Sequence, residues 1–157
     1  TLLKSGKIFL SVKDDDKRAI VFIAKRLVDM GFSLISTRGT AKVLRANGVQ
    51  VEVVEPYAQG QQDGSALMSM IKGNAIALIV NTPSGESSQH DMRFIRAAAI
   101  LHNVPCITTL QGAWAAVNGI ESSRTKDFLQ VRSLQEYYLD ISVKKNFKME
   151  IDKCAVS

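Results

Sequence analysis

The sequence predicts an α/β fold: a single three-layer domain with a five-stranded parallel sheet covered by helices on both faces. Apolar runs of strand length alternate with helical patterns, which is typical of a parallel sheet with crossover helices. The run at 75–80 (AIALIV) is uninterrupted, as expected for a central parallel strand covered on both faces. A length of 157 residues, 46% of them hydrophobic, suits one globular domain.

The first strand–helix unit occupies residues 7–31. Residues 7–12 (KIFLSV) predict a strand, and residues 14–16 (DDD) predict the N-cap and acidic first turn of the next helix. Apolar residues then recur with the spacing of one helical face: Ile20, Ile23, Ala24, Leu27 and Val28. Gly31 is predicted to end this helix.

A second strand at 32–37 and a third at 49–54 lie on either side of a short helix. Between them, Arg38 and Gly39 predict a turn, and residues 40–47 predict the helix. The third strand alternates apolar and polar residues, so we expect it nearer an edge of the sheet.

The second half of the chain continues the pattern. It predicts a loop at 55–64, helices at 65–72, 91–101 and 111–119, a turn at 81–85, and strands at 75–80 and 105–109. A short closing segment begins at Val131, and the pattern dissolves from Leu139. We therefore expect one domain over 1–138 and a C-terminal tail over 139–157 that either is disordered or packs on a partner.

The net charge of +5 does not predict nucleic-acid binding. Residues 1–75 carry 11 basic and 7 acidic side chains, and residues 76–157 carry 9 and 8. The basic excess is therefore spread along the chain, and no aromatic residues alternate with a basic run. A basic anion-binding pocket accounts for this charge equally well.

Several other classes of protein are excluded or disfavoured. No apolar run approaches the roughly 18 residues of a membrane span, and no export signal is visible at the N-terminus. Two cysteines, Cys106 and Cys154, provide neither a disulfide framework nor a metal cluster. We expect a cytoplasmic or organellar setting and, because the chain begins with Thr1, a fragment or a processed product.

Polar side chains follow the predicted strands at the edge where ligands of open α/β sheets bind. Hydroxyl side chains follow three of the four strand ends considered, and Lys17 adds a charge. The hydroxyls are those of Thr37, Thr40, Thr82, Ser84, Thr108 and Thr109. Hydroxyls, helix N-termini and unpaired backbone N–H groups are suited to a phosphate. The clustering predicts a phosphate or anion site at this edge.

Each of these residues also has a purely structural interpretation. Thr40 and Ser84 are well placed to be helix N-caps, which is the commoner role of a hydroxyl before a helix. Thr108 and Thr109, at the end of the fifth strand, fit as strand residues because threonine favours strands.

Catalytic patterns are sparse. His90 and His102 have no neighbouring cysteine or nucleophile motif, and the chain contains no GxGxxG, GxxxxGK(S/T) or HExxH motif. Asp63 and Asp91 would form an acid–base pair if the fold brought them together, although helix capping is the commoner role.

Five segments together resemble a known family, and they appear in the family's order and spacing: LSVKDDDK, GFSLISTRGTAKVLRANGV, IALIVNTPSG, IRAAAILHNVPCITT and VRSLQEYY. Over residues 3–138 the chain resembles the methylglyoxal-synthase-like domain at the C-terminal end of carbamoyl phosphate synthase large chains. The resemblance implies a non-catalytic allosteric domain that binds a nucleotide such as UMP or IMP at the strand ends.

The resemblance also implies partners and a pathway. The partners are the remainder of the large chain and the glutaminase small chain, in pyrimidine and arginine biosynthesis, with no nucleic acid and no membrane. ATP, Mg and K are expected only in the parent ATP-dependent ligase, so this domain is expected to hold no cofactor and no metal.

Matched residue by residue, the resemblance assigns an effector site. Its members are Ser11, Lys17, Thr37, Gly39, Thr40, Asn81, Thr82, Ser84 and Gly85. The family often has a lysine in the loop after the third strand. Here residues 55–60 read EPYAQG, so that basic contact is missing.

The related enzyme methylglyoxal synthase is the alternative. Three of its acidic residues have counterparts here, namely Asp14, Asp63 and Asp91. Two of its histidines and a further aspartate are replaced, by Lys13, Ser88 and Thr82 respectively. These losses predict that the chain does not eliminate phosphate from a triose phosphate. A cyclohydrolase relative shares the fold but lacks the VRSLQEYY ending.

Overall fold

A five-stranded, all-parallel sheet forms the centre of the fold, with the strand order β3-β2-β1-β4-β5. The strands are β1 (Lys7–Ser11), β2 (Ser33–Ser36), β3 (Glu52–Val53), β4 (Ile76–Asn81) and β5 (Cys106–Ile107). The computed structural model describes residues 5–55, 66–83 and 86–126, and at 86–91 the backbone alone. The predicted α/β fold with a parallel sheet is confirmed.

Successive strands are connected by the helices α1 (Lys17–Asp29), α2 (Arg38–Ala46), α3 (Ala66–Lys72) and α4 (Glu86–Leu101), and α5, described over residues 110–126, follows β5. The chain divides into two compact units, Thr1–Ile120 and Glu121–Ser157. The sheet, α1 to α4 and residues 110–120 of α5 belong to the first unit. Of the second unit, only residues 121–126 are described, and they are helical.

Two hydrophobic layers cover the sheet. Side chains of α1, α2 and α5 pack on one face, against residues such as Leu10, Leu34 and Val80. Side chains of α3 and α4 pack on the other face, against Phe9 and Ile79. Because consecutive strand residues point to opposite faces, an interior strand covered on both sides must be apolar throughout.

The apolar run of β4 is an interior strand, as predicted, but it is not the middle one. It lies between β1 and β5, and β1 occupies the centre of the sheet. The register of β1 on β4 shifts by one residue, since Lys7 pairs with Ile76 whereas Ile8 pairs with Leu78. Ala77 is therefore an extra residue, a β-bulge in β4.

Four helices end in the same way at the strand-start edge of the sheet. Gly31, Gly48, Asn74 and Asn103 have positive φ at the ends of α1 to α4. In each case the next residue donates its N–H to a carbonyl five residues back, at distances of 3.1, 3.0, 2.9 and 2.8 Å respectively. The predicted helix ends at Gly31 and Gly48 are confirmed.

Three predicted helix starts differ from the structure. Asp16 occupies the N-cap position of α1, as predicted, but its side chain makes no cap bond, and Asp14–Asp16 form a 3-10 turn closed by the Asp16 N–H to the Lys13 carbonyl (3.0 Å). The helix α4 begins at Glu86 and not at the predicted residue 91. The helix α2 begins at Arg38, not at Thr40, because the predicted turn residues already form its first turn.

The paired strands at the edges are shorter than predicted. In β3 only Glu52–Val53 pair, and in β5 only Cys106–Ile107. Each of these strands has one neighbour, so its ends are not held by a second ladder, and β3 is the edge strand that its alternating pattern predicted. The predicted loop at 56–64, the segment from Val131 and the boundary at 138/139 lie outside the described residues.

Candidate functional site

Two threonine hydroxyls from distant parts of the chain hold the segment that follows β1. The Val12 N–H donates to Thr40 Oγ1 (3.2 Å), and the Lys13 N–H donates to Thr82 Oγ1 (3.0 Å). Both threonines are almost fully buried. One hydroxyl comes from α2 and the other from the residue after β4. The fold therefore brings the strand ends of β1 and β4 and the start of α2 into one cluster.

The Ser11 carbonyl ties the end of β1 to the end of β4. The Thr82 N–H donates to this oxygen (3.0 Å). The Asn81 carboxamide is assigned the orientation that satisfies both of its ends, in which its nitrogen donates to the Ser11 carbonyl (3.2 Å) and its oxygen accepts from Arg96 Nη2 (3.1 Å). Asn81 is only 3% exposed, so its carboxamide interacts with other protein groups.

A second group of the predicted residues surrounds the start of α2. The Thr37 hydroxyl donates to Thr40 Oγ1 (3.4 Å). The Lys17 ammonium forms an ion pair with Asp14, whose side chain is 90% exposed. The same ammonium lies 3.4 Å from the point where a Cβ on Gly39 would stand. A glycine at this position leaves room for the lysine beside the first turn of α2.

The start of α2 has the electrostatics of an anion site. Its first intrahelical bond runs from the Ala41 N–H to the Thr37 carbonyl (2.9 Å), so the preceding N–H groups of the helix have no intrahelical acceptor. These N–H groups carry the positive end of the helix dipole. The Lys17 ammonium stands beside them and adds a full charge. Together they are suited to bind a phosphate or carboxylate group.

The structure separates the predicted site residues into two groups. Thr40, Asn81 and Thr82 are buried and hold the strand ends together. Lys17 and Thr37 are half-buried, and Gly39 is exposed. Ser11 is also half-buried and links the groups through its carbonyl.

Some predicted residues lie outside the described part of the chain. These are Ser84, Gly85 and Asp63, together with the side chains of Ser88, His90 and Asp91. The cap role considered for Ser84, and the acid–base pair of Asp63 and Asp91, therefore stay predictions. For Thr40 the cap interpretation was wrong, because Thr37 occupies the N-cap position and the Thr40 hydroxyl binds the Val12 N–H.

The threonines after β5 are not strand residues, because β5 ends at Ile107. Thr109 Oγ1 accepts the Gly112 N–H (3.0 Å) at the start of α5. This is the N-cap bond that a hydroxyl typically makes three residues before its donor. Thr109 therefore caps a helix, a role that the sequence suggested for Thr40 and Ser84 instead.

Arg96 on α4 is the residue that the sequence analysis did not find. Its guanidinium bonds the Asn81 carboxamide, and among the described residues its Nε is buried without a hydrogen-bond partner. The available signal was its position on the apolar side of α4, four residues after Met92 and three before Ala99, both of which are buried. An arginine at such a position calls for a buried acceptor.

Cys106 in β5 is close to this arginine. Burial raises the pKa of the Cys106 thiol, and the positive charge of Arg96 partly opposes this shift. In the described ranges, no three histidine, cysteine or acidic side chains come close enough to hold a metal ion. Nor does any helix within these ranges have the length and apolar character to cross a bilayer.

An open groove of about 580 Å³ runs from Lys17 between α1 and α2. Arg18 and Lys25 contribute further positive charge to its walls, and Phe22, which is 61% exposed, contributes an apolar ring. The groove therefore begins at the outer group of site residues and continues away from the strand ends.

Comparison with known families agrees with this geometry. A family model described as "MGS-like domain" matches residues 19–108, more than half of the chain. The chain belongs to the MGS-like domain family. The match begins within α1 and ends just after β5, so it covers β2 to β5 and contains the outer residues Thr37 and Gly39 and the inner residues Thr40, Asn81 and Thr82.

The MGS-like domain is similar in sequence to carbamoyl phosphate synthase large chains. It is 44% identical to the one from Rubrobacter xylanophilus over 137 residues, which are 87% of this chain and 13% of that protein. It is 44% identical to the one from Mycobacterium tuberculosis over 142 residues, 88% of this chain and again 13% of that protein. The chain thus spans about 13% of the length of these relatives.

A solved structure shares the fold. The methylglyoxal synthase of Elizabethkingia anophelis superposes with a TM-score of 0.56 at 23% sequence identity, over 74% of this chain and 79% of that one. At this identity the likeness concerns the fold, namely a parallel sheet with helices on both faces, and not the chemistry.

Proposed function

We propose that this MGS-like domain is the allosteric domain of a carbamoyl phosphate synthase large chain and binds a nucleotide, UMP or IMP, through its phosphate. The bound phosphate would lie at the strand ends, beside the start of α2. The identity of 44% to such large chains supports the parent protein. The geometry of the strand ends supports the phosphate.

One observation carries the phosphate part of the proposal. The hydroxyl oxygens of Thr40 and Thr82 accept the N–H groups of Val12 and Lys13. A hydroxyl that accepts a backbone N–H keeps its own proton for another acceptor. The threonines therefore present donors at the same edge as the N–H groups of α2 that lack an intrahelical acceptor, and donors are what phosphate oxygens need.

Lys17 supplies the charge in this proposal. Its partner Asp14 is 90% exposed, and an exposed ion pair contributes only about 0–1 kcal/mol. The ammonium can therefore exchange Asp14 for a phosphate at little cost. Because the charge is only half-buried, the affinity should fall as the ionic strength rises.

In this proposal the domain performs no chemistry. ATP, Mg and K would act elsewhere in the large chain, the glutaminase small chain would be a further partner, and the pathways would be pyrimidine and arginine biosynthesis in the cytoplasm or an organelle. Nucleotide binding here would change the activity of the parent ligase.

The methylglyoxal synthase alternative is disfavoured by the local geometry. Thr82 occupies the position of an aspartate, and its hydroxyl already holds the Lys13 N–H. Asp14 is exposed and paired with Lys17, whereas a general base needs a site that excludes water and a pKa tuned toward the working pH. We expect no methylglyoxal from dihydroxyacetone phosphate. Product above the protein-free control, abolished by Asp63→Asn, would support the enzyme instead.

Calorimetric titration of the 157-residue chain with inorganic phosphate, UMP and IMP tests the binding. We expect Lys17→Met to weaken phosphate and nucleotide binding by about tenfold or more and to flatten the salt dependence, since hydrogen bonds to charged groups contribute about 1.5–3 kcal/mol. Lys25→Met is the matched control, because Lys25 lies on the same helix in the distant part of the groove. Absence of binding at millimolar concentration would exclude the proposed site.

The regulatory part requires the parent enzyme. In the complex of large and small chains, UMP or IMP should change the rate of carbamoyl phosphate formation, and Lys17→Met in the large chain should remove that response. A response that persists at full size in the variant would contradict the assignment of the effector site to this edge.

A further inference from the structure

Arg96 makes an unusual set of contacts for an arginine on a helix. Its neighbours in sequence and on the helix face, Ile95 and Ala99, are fully buried. Its Nη2 donates to the Asn81 carboxamide oxygen (3.1 Å), and in the described structure its buried Nε has no hydrogen-bond partner. A buried donor without a partner is destabilising, so a gain elsewhere must balance it.

The contacts of Arg96 lead step by step to a predicted ligand donor. Arg96 fixes one end of the Asn81 carboxamide, and the other end donates to the Ser11 carbonyl (3.2 Å). The Thr82 N–H donates to the same carbonyl, and the Thr82 hydroxyl receives the Lys13 N–H. The position of the Thr82 hydroxyl therefore depends on a carbonyl that Asn81 and Arg96 hold in place.

We propose that Arg96 is a positioning residue of the anion site: it orients the Asn81 carboxamide and thereby fixes the Thr82 hydroxyl at the strand ends. This inference rests on the proposed function. In this proposal Arg96 acts through Asn81, because its Nη2 is committed to the Asn81 carboxamide oxygen and its Nε is buried.

Two observations place the guanidinium beside the end of β4: its Nη2 donates to the Asn81 carboxamide oxygen, and its Nε is buried. Only a planar guanidinium offers several donors in fixed directions, so lysine is an incomplete replacement at this position.

A double-mutant cycle tests the inference, with inorganic phosphate and UMP as probes and the 157-residue chain as the protein. Arg96→Met and Asn81→Ala should each weaken binding by about threefold to tenfold, and the double variant should bind no more weakly than the weaker single variant. Arg93→Met is the matched control, since Arg93 is exposed one turn earlier on α4. We expect it to leave the affinity unchanged.

Each result decides between the alternatives. Additive losses in the double variant would contradict action through Asn81, and unchanged binding by Arg96→Met would contradict the positioning role while leaving the anion site intact. If the wild-type chain binds neither phosphate nor UMP, both the proposed anion site and the positioning role of Arg96 are contradicted. If Arg96→Met does not fold, Arg96→Lys gives the same test. A phosphate and UMP affinity of Arg96→Lys equal to that of the wild type would contradict the positioning role of the guanidinium.

Discussion

The two edges of the sheet are built differently. At the strand-start edge, four helices end with a glycine or asparagine at positive φ and a backbone N–H to a carbonyl five residues back. At the strand-end edge, side chains make the closing bonds, from Thr40 to Val12 and from Thr82 to Lys13. The first edge is closed by the backbone of each turn itself, and the second by residues 28 and 69 positions apart in the chain.

This difference assigns different roles to the edges. A turn closed by its own backbone depends on one residue that tolerates positive φ and on nothing distant. An edge closed by side chains depends on the positions of several strands and helices at once. A ligand that binds its hydroxyls can therefore alter how these elements meet, whereas the strand-start edge offers no such contact in the described turns.

The largest expected effect comes from the sheet interior that joins the edges. Ile79 is fully buried against α3 and α4, so Ile79→Ala should lower the free energy of unfolding by about 2–5 kcal/mol. Urea denaturation measures this loss. Ile100→Ala is the matched control, since Ile100 is 75% exposed and should change stability by less than about 0.5 kcal/mol. A loss below about 1 kcal/mol for Ile79→Ala would contradict an interior strand.

Removing a hydroxyl at the strand-end edge should have the next largest effect. Thr82→Val and Thr40→Val each leave a backbone N–H without its acceptor, which costs about 1–3 kcal/mol in a buried site. Denaturant unfolding of both variants measures the loss. Thr82→Ser retains the hydroxyl and should lose clearly less than Thr82→Val. Equal losses for serine and valine would assign the effect to packing.

A glycine substitution tests the backbone-closed edge separately. Gly48 has φ +80°, and no atom lies within 4 Å of the point where its Cβ would stand, so Gly48→Ala adds backbone strain without a clash. The strain of a left-handed residue should cost about 1–2 kcal/mol, which denaturant unfolding measures. Asn74→Gly retains the same geometry and should change stability by less than about 0.5 kcal/mol. Nucleotide affinity should not respond to either variant.

The smallest expected effect is the pH dependence from Cys106. Burial raises the pKa of this thiol, and Arg96 opposes the shift, so the folded protein holds the thiol proton to higher pH than the unfolded chain does. The resulting stabilisation is fully present below the pKa of the unfolded thiol and is lost as the pH rises through the folded value. Stability curves of wild type and Cys106→Ala should therefore converge in the alkaline range, and parallel curves would contradict the shift.

The sequence predicted the backbone-closed features better than the side-chain contacts. Gly31 and Gly48 are visible in the sequence because positive φ favours glycine wherever the rest of the chain lies. The presence of the strands followed from the apolar runs. The role of a threonine could not be predicted, because whether Thr40 caps a helix or holds Val12 depends on a contact that only the folded sheet creates.

The hydrogen-bond partner of Arg96 could not be predicted from the sequence either. A charged residue on a helix is ordinarily solvated, and nothing within α4 itself indicates that an asparagine at the end of β4 will accept its hydrogen bond. The outer residues Lys17 and Gly39 could be predicted because charge and glycine next to a helix start are local signals, and their role as ligand contacts stays a prediction.

The extra residue at Ala77 determines which face of the sheet each later residue of β4 points to. Downstream of this bulge, Ile79 points to the α3 and α4 face and Val80 to the opposite face. Asn81 then meets Arg96 of α4, while Thr82 meets Lys13. An insertion or deletion of one residue between Leu78 and Val80 would exchange these two sides. The site therefore forms only if the number of residues between the bulge and the end of β4 stays the same or changes by an even number.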